Sequence, residues 1–328
     1  MATIHDVAEI AGVSVTTVSR VLNNRGYISD KTRKKVFETM QALNYHPNEI
    51  ARSLLRKQSN LIGLIIPNVS HPFFSEFTLH LETYAYQNGF KLLLCNSLSE
   101  PDKEKDYIEM MRKNRVAGII MGSHTLDVSE YLNLNYPIVT LDRKIADSIP
   151  YLSSDNYAGG QAATQLLIDC GCKKIANICG NLSLPQLANE RTSAFRDIAT
   201  SNGIEYVIMD TETNVFEYGQ YETLVRKLFD EHPDVDGIFA TSDVMASYVI
   251  KVARSLNRQI PNDLKVIGYD DTQFATWTAP SITSIKQPIE ELSNLAFDII
   301  YKQINEEAIE MHNVLPITLV ERETTSLL

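Results

Sequence analysis

Residues 13–24 read VSVTTVSRVLNN, and this stretch decides how the front of the chain folds. Ser14 is a suitable helix N-cap, and Val18, Val21 and Leu22 recur at helical spacing behind it. Just upstream, Gly12 supplies the residue type that ends a helix. Before it, Thr3 can cap a helix in which Ile4, Val7, Ala8 and Ala11 form an apolar stripe, with Asp6 completing a capping box. Two short helices joined by AGVS form a helix-turn-helix, whose second helix enters a DNA major groove. Ser29 can cap a third helix with Val36, Met40 and Leu43 inward, so residues 1–46 are expected to form a DNA-binding head.

The second helix carries the chemistry. Val15, Thr16 and Arg20 are expected opposite its inward face. Arg can read guanine bidentately, Thr can bond several bases, and Val can touch a thymine methyl. Thr3, Ser14 and Thr17 are placed for phosphates, which position without specifying. The plain alternative is a helical cap with no nucleic-acid role. Charge argues for the functional reading. The 328-residue chain has a net charge of −11, but residues 1–60 hold nine Lys/Arg against five Asp/Glu, a net of +4. The remaining residues hold 21 basic and 36 acidic groups, so only the head suits a polyanion.

Residues 47–60, beginning with Pro47, are polar and too short for a stable isolated helix, which makes them a hinge that orders against something else. From Leu61 the rhythm changes. LIGLIIP, KLLLCN, AGIIMG, YPIVTLD, KKIANICG, EYVIMD, DGIFATS and LKVIGYD alternate with amphipathic segments, the mark of α/β architecture with parallel sheets. Two lobes are expected within 61–328: one of about 61–158 plus part of the C-terminal segment, the other of about 160–285. Ligands of such folds bind at strand carboxyl ends, which here carry Asp142-Arg143, Ser242-Asp243 and Asp270-Asp271. The cysteines, Cys95, Cys170, Cys172 and Cys179, lack zinc-knuckle spacing and read as free thiols of a reducing cytoplasm. Neither a membrane span nor a signal peptide is legible, and no metal or cofactor is called for.

The stretches ATIHDVAEIAGVSVTTVSRVLNN and YHPNEIARSL, and RETT near the end, resemble the LacI/GalR family of bacterial repressors over essentially the whole chain. HPFF, YPIVTLDR, SSDNYAGG and LPITLVERETT resemble the ribose-operon members most, then the sucrose-operon members. The resemblance implies a homodimer on a near-palindromic double-stranded operator, and a two-lobed body like periplasmic binding proteins with a small sugar effector between the lobes. It implies a hinge helix containing Asn48 and Ala51, with Leu54 wedged into the minor groove at a cost of about a few kcal/mol in unstacking. It further implies effector contacts from Phe73, Phe74, Asp142, Arg143, Arg191, Asp243 and Asp270. Core packing is the other reading of the two phenylalanines, and a surface ion pair that of Asp142-Arg143. His71 stands where relatives carry a polar residue such as Asn, and Ser242 where they carry Asn. Whether ligand loosens or tightens the grip on DNA is open.

Other classes fare worse. No G-x-G-x-x-G follows a strand and no phosphate-binding loop ends in G-K-[ST], while Gly159-Gly160 is equally explained by close packing. No Ser or Cys nucleophile pairs with a His, so an enzyme is not expected. A bare sugar receptor would not need the basic head. A regulator answering to a phosphorylated carrier protein remains a rival within regulation, though no docking residues for one stand out.

Overall fold

A computed structural model describes residues 2–23, 25–45, 59–123, 125–132, 134, 136–211 and 218–326. They fall into two compact units, residues 1–59 and 60–328. No helix among the described residues is long and apolar enough to cross a membrane.

The first unit is built from α1 (Ile4–Ala11), α2 (Val15–Leu22) and α3 (Asp30–Ala42). Thr3 and Asp6 cap α1 reciprocally: the Asp6 N–H donates to Thr3 Oγ1 at 3.4 Å and the Thr3 N–H to Asp6 Oδ2 at 2.7 Å. The Thr3 N–H and the Thr3 hydroxyl both donate to the Asp6 carboxylate and hold it below its usual range. Gly12 closes α1 at φ +60°, a left-handed conformation that glycine adopts without steric cost. Ser14 and Ser29 cap α2 and α3 through the N–H groups of Thr17 and Thr32. Val7, Ala8, Ala11, Val18, Val21 and Val36 form the core, with Ile4, Val15, Leu22, Met40 and Leu43 packed around it. So few small side chains give a domain of this size only a marginal core.

The second unit contains two lobes of one topology. The first lobe holds β1 (Leu61–Ile66), α4 (Pro72–Gln87), β2 (Lys91–Asn96), α5 (Pro101–Lys113), β3 (Gly118–Met121), α6 (Val128–Leu132), β4 (Ile138–Leu141) and β5 (Tyr151–Ser154). The second holds α7 (Asn156–Asp169), β6 (Lys174–Cys179), α8 (Glu190–Ser201), β7 (Glu205–Asp210), α9 (Tyr218–Glu231), β8 (Gly237–Ala240), α10 (Asp243–Ser255), β9 (Lys265–Asp270), α11 (Gln273–Trp277) and β10 (Thr283–Lys286). The chain then returns to the first lobe with α12 (Ile289–Ile304) and β11 (His312–Leu315), and ends in the second with β12 (Thr318–Val320).

The first sheet runs β11-β5-β4-β3-β1-β2, with every pairing parallel. The second runs β12-β10-β9-β8-β6-β7 and differs only in the antiparallel β12. The two inner faces of each sheet are apolar because a βαβ crossover leaves a helix on either side. In the first lobe, α4 and α12 cover one face through Phe77, Leu81, Phe297 and Ile300, and α5 covers the other through Ile108 and Met111. In the second, α7 and α8 pack on one face and α9 and α10 on the other.

Asp155 marks the first crossing between lobes. Its N–H donates to Leu315 O of β11 at 2.8 Å, and its carboxylate accepts from Ala158 N of α7 at 2.9 Å. Helix α7 therefore belongs wholly to the second lobe, a few residues ahead of the boundary that pattern reading suggested. Gly159 and Gly160 lie in its first turns because two neighbours press there. A Cβ on Gly159 would sit 2.6 Å from Tyr269 Oη, and one on Gly160 would sit 2.3 Å from Arg191 O. Close packing is thus the account of this pair. The cysteines carry no disulfide, and burial pushes the thiols of Cys172 and Cys179 up to about 12.

Gly160→Ala is expected to cost about 1–3 kcal/mol, because the new methyl meets backbone rather than a movable side chain. Urea unfolding of the purified variant measures this, and wild-type stability would contradict the packing account.

Candidate functional site

In the head, Thr16 and Arg20 are exposed and stand one turn apart on α2. A guanidinium and a hydroxyl on one free helical face suit base edges. Val15 departs from expectation. Positions 15, 18 and 22 share a helical face, and Val15 is half-buried against the head's core, not opposite it. Thr3, Ser14 and Thr17 are already engaged in helix capping: Thr3 Oγ1 lies 2.9 Å from Asp6 Oδ2, and the Ser14 and Thr17 hydroxyls are 2.9 Å apart. Asn48, Ala51 and Leu54 lie outside the described residues.

The second site is a cavity of about 590 Å³ between the lobes, within the ~300–1,000 Å³ range of small-molecule sites. Its walls are the loops after β1, β3 and β4 in the first lobe and after β6, β8 and β9 in the second. These are the carboxyl ends of the strands, where the order β2-β1-β3 and its counterpart β7-β6-β8 reverse direction and leave a crevice. Phe73, Phe74, Asp142, Arg143, Arg191 and Asp270 all border this cavity.

Each lobe contributes an aspartate from the end of its equivalent strand. Asp142 follows β4 at φ +55°, and Asp270 ends β9 at φ +106°. Positive φ is uncommon for a non-glycine residue, though Asp tolerates it better than most, and both aspartates border the crevice. Asp142 Oδ1 accepts from Ser153 Oγ at 2.6 Å and Asn156 Nδ2 at 3.1 Å. Asp270 Oδ1 accepts from Gln287 Nε2 at 2.7 Å. Burial pushes the Asp270 carboxyl up to about 7, opposed by the charge of Arg191 and the Gln287 donor and reinforced by Asp142 and Glu76.

Arg191 is buried at the start of α8. Its Nε donates to Asn156 Oδ1 at 2.7 Å and its Nη1 to Thr241 O at 2.9 Å. The guanidinium also lies 3.6 Å above the centre of the Tyr269 ring, a cation–π contact that fixes its plane. Burial and the Arg191 charge hold His71 down at about 4, so the imidazole on the opposite wall is neutral. Acceptors and guanidinium donors facing each other across a crevice are suited to hydroxyl groups, which both give and take hydrogen bonds.

One expectation changes. Asp243 is not among the residues lining the cavity. It is 1 % exposed, its Oδ1 accepting from Ser284 Oγ at 2.5 Å and its Oδ2 from Thr272 N at 3.2 Å. It braces β9 from beneath, and a Cβ on Gly268 would lie 2.4 Å from its Oδ1. Burial beside Asp270 raises its carboxyl well above the ordinary range. Ser242, one residue earlier, faces the cavity instead and caps α10 through Met245 N. Phe73 and Phe74 both border the cavity and differ in depth: Phe74 is half-buried, whereas Phe73 is 5 % exposed and also stacks on Phe77 of the lobe core.

Sequence reading passed over Gln287, Thr241, Tyr221, Met245 and Leu126, all on the cavity wall. Only Gln287 left a signal, as a polar residue between a strand and Pro288. Among the described residues no group of three or more His, Cys, Asp or Glu side chains is placed to hold a metal ion.

Comparison with known proteins follows the same division. Residues 3–48 match the family described as bacterial regulatory proteins, lacI family, and residues 164–325 match the periplasmic binding protein-like domain. The chain is 39% identical over 331 residues to the sucrose operon repressor of Streptococcus mutans serotype c, covering 99% of each chain. It is 37% identical over 326 residues to the ribose operon repressor of Halalkalibacterium halodurans, covering 99% of this chain and 97% of that one. These identities are too close to rank ribose-type above sucrose-type relatives. Among solved structures, it is similar to the lac repressor dimer bound to operator and the anti-inducer ONPF, with a TM-score of 0.87, 28% identity and 99% of both chains covered. A helix-turn-helix head, a two-lobed body and full-length identity well above 30% lead to one statement: this chain belongs to the LacI/GalR family of bacterial transcriptional regulators.

Proposed function

We propose that this protein represses a carbohydrate-utilisation operon, binding operator DNA as a homodimer whose grip is set by a small neutral sugar in the cleft, ribose or a related sugar. The observation that carries the reading is the arrangement of Asp142, Asp270 and Arg191 around one cavity. Each lobe offers a carboxylate, so a polyol spanning them stabilises one lobe angle over others. A differential of about 1–3 kcal/mol between lobe arrangements changes operator affinity roughly 5–150-fold. A basic head on an acidic body directs the DNA to the head alone.

The dimer is supported by a groove between α4 of the first lobe and α10 and α11 of the second. Leu79 and Trp277 are 62 % and 74 % exposed there, beside Tyr248 and Phe274. A single exposed apolar side chain is ordinary, but two of them beside half-buried aromatic rings along one groove support a protein–protein contact there.

The reading is tested by titrating the protein onto a labelled palindromic fragment library at low salt, with and without ribose, sucrose or fructose. Two chains should bind per selected fragment, and one sugar should shift the affinity. Failure to select any fragment, whatever is added, would refute it. Arg20→Ala should cost about 1–3 kcal/mol on the selected operator and little on unrelated DNA; equal loss on all sequences would contradict base reading.

The sugar's affinity should also depend on pH. A hydroxyl donates best to ionised Asp270, and burial pushes that carboxyl up to about 7. Affinity is therefore full above that value and falls as pH drops through it, by up to roughly tenfold per unit. Calorimetry from mildly acidic to mildly basic pH, with Asp270→Asn as the flat comparison, checks both the sign and the residue.

A further inference from the structure

We infer that Asn156 is a positioning residue for effector recognition, setting Asp142 of the first lobe and Arg191 of the second from the point where the chain crosses between them. The inference rests on the sugar reading above. Asn156 is fully buried and is not one of the residues bordering the cavity. Its Nδ2 donates to Asp142 Oδ1 at 3.1 Å and to Ser153 Oγ at 2.9 Å. Its Oδ1 accepts from Arg191 Nε at 2.7 Å, with the Tyr269 hydroxyl at 3.5 Å.

A primary amide carries a donor and an acceptor at opposite corners, and both are used here against charges of matching sign. Turned over, the amide would set its NH₂ against a guanidinium and its oxygen against a carboxylate, so the two charges select one orientation. Ser153 Oγ donates to the same Asp142 oxygen at 2.6 Å, closing a small ring at the end of β5. Asn156 is also the first residue of α7, directly after the crossing at Asp155. Any change of angle between the lobes acts on this bridge, and a sugar held by Asp142 and Arg191 restrains both of its ends.

The variant N156D separates positioning from mere packing. It keeps an acceptor toward Arg191 and puts a carboxyl where the amide donated to Asp142. Ionised, that carboxyl repels Asp142; protonated, its O–H can donate as the amide does. The charged and titratable groups around it are Asp142, Arg191, Tyr269 and Asp270, with Asp155 and Glu190 nearby. Full-length wild type and N156D are titrated calorimetrically with D-ribose, sucrose and D-fructose across the pH range. N156D should bind roughly tenfold or more weaker at about pH 8, and the ratio to wild type should close toward one at about pH 5.5. A structural defect alone would lower affinity by one factor at every pH, so a flat ratio, or one near unity throughout, overturns the inference.

If wild type binds none of the three sugars, the sugar reading fails rather than this one, and hydrogen exchange without ligand then decides. N156D should exchange faster than wild type both around Asp142 and at the start of α8, and unchanged protection at either place overturns the inference. If N156D does not fold, Ser153→Ala removes the second donor to Asp142 together with one acceptor of the Asn156 amide, and leaves the Asn156–Arg191 bond in place; it should weaken sugar binding roughly severalfold with no effect on exchange at α8. Unaltered binding, or loosening at α8, would count against the bridge.

Discussion

The cleft depends on one constraint: the guanidinium of Arg191 is buried and has to be matched on every side. An unpaired buried charge is too costly to persist. Here the match comes from the Asn156 oxygen, the Thr241 carbonyl and the face of Tyr269. Each of those partners constrains something further. Asn156 ties the arginine to the other lobe, Tyr269 presses on Gly159, and the arginine's own backbone presses on Gly160. The start of α7, the start of α8 and the end of β9 are therefore locked around one positive charge. Asp270 feels its charge, and Asp142 and Asp270 border the same cavity with oxygens able to accept hydrogen bonds from a ligand.

Duplication of topology explains how two lobes build one polar crevice. The strand order is the same in both, apart from the direction of the last strand. Equivalent strands β4 and β9 end in aspartates held at positive φ. Two of the three crossings, after β5 and after β10, are bridged in the same manner, by an amide beside a serine. Asn156 works with Ser153, and Gln287 accepts from Ser154 Oγ at 2.7 Å while donating to Asp270. Asp142 and Asp270 are thus held by residues at the places where the chain passes between the lobes. That arrangement is what an effector needs in order to be felt outside its own pocket.

The head follows a different logic. Its core is small, and its helix ends are satisfied by their own hydroxyls, Thr3, Ser14 and Ser29. Hydroxyls that cap a helix point at its positive end, which is also where a phosphate is attracted. Capping and backbone contact with DNA are therefore compatible uses of one position. Val15 shows the limit of face-counting on a helix of two turns, since a residue in the first turn borders both the inner and the outer surface.

By itself the sequence determined the three capped helices of the head, the α/β rhythm of eight strands and most of the charged groups of the cleft. Those features are written in local periodicity, capping residues and polar residues at the ends of apolar runs. Only the tertiary structure decided the rest. The strands YLSS, TSIK, HNVL and TLV are too short or too polar to stand out, and they form because a neighbouring strand offers its edge. Asp243 and Asp270 look alike in sequence, each sitting at a strand's carboxyl end. Yet one turns beneath β9 to Ser284 and Thr272 while the other faces the crevice, because the direction of a side chain there depends on which backbone lies behind it. Asn156 acquires its place only when residues far apart in the chain meet, a relation between lobes that no local pattern encodes.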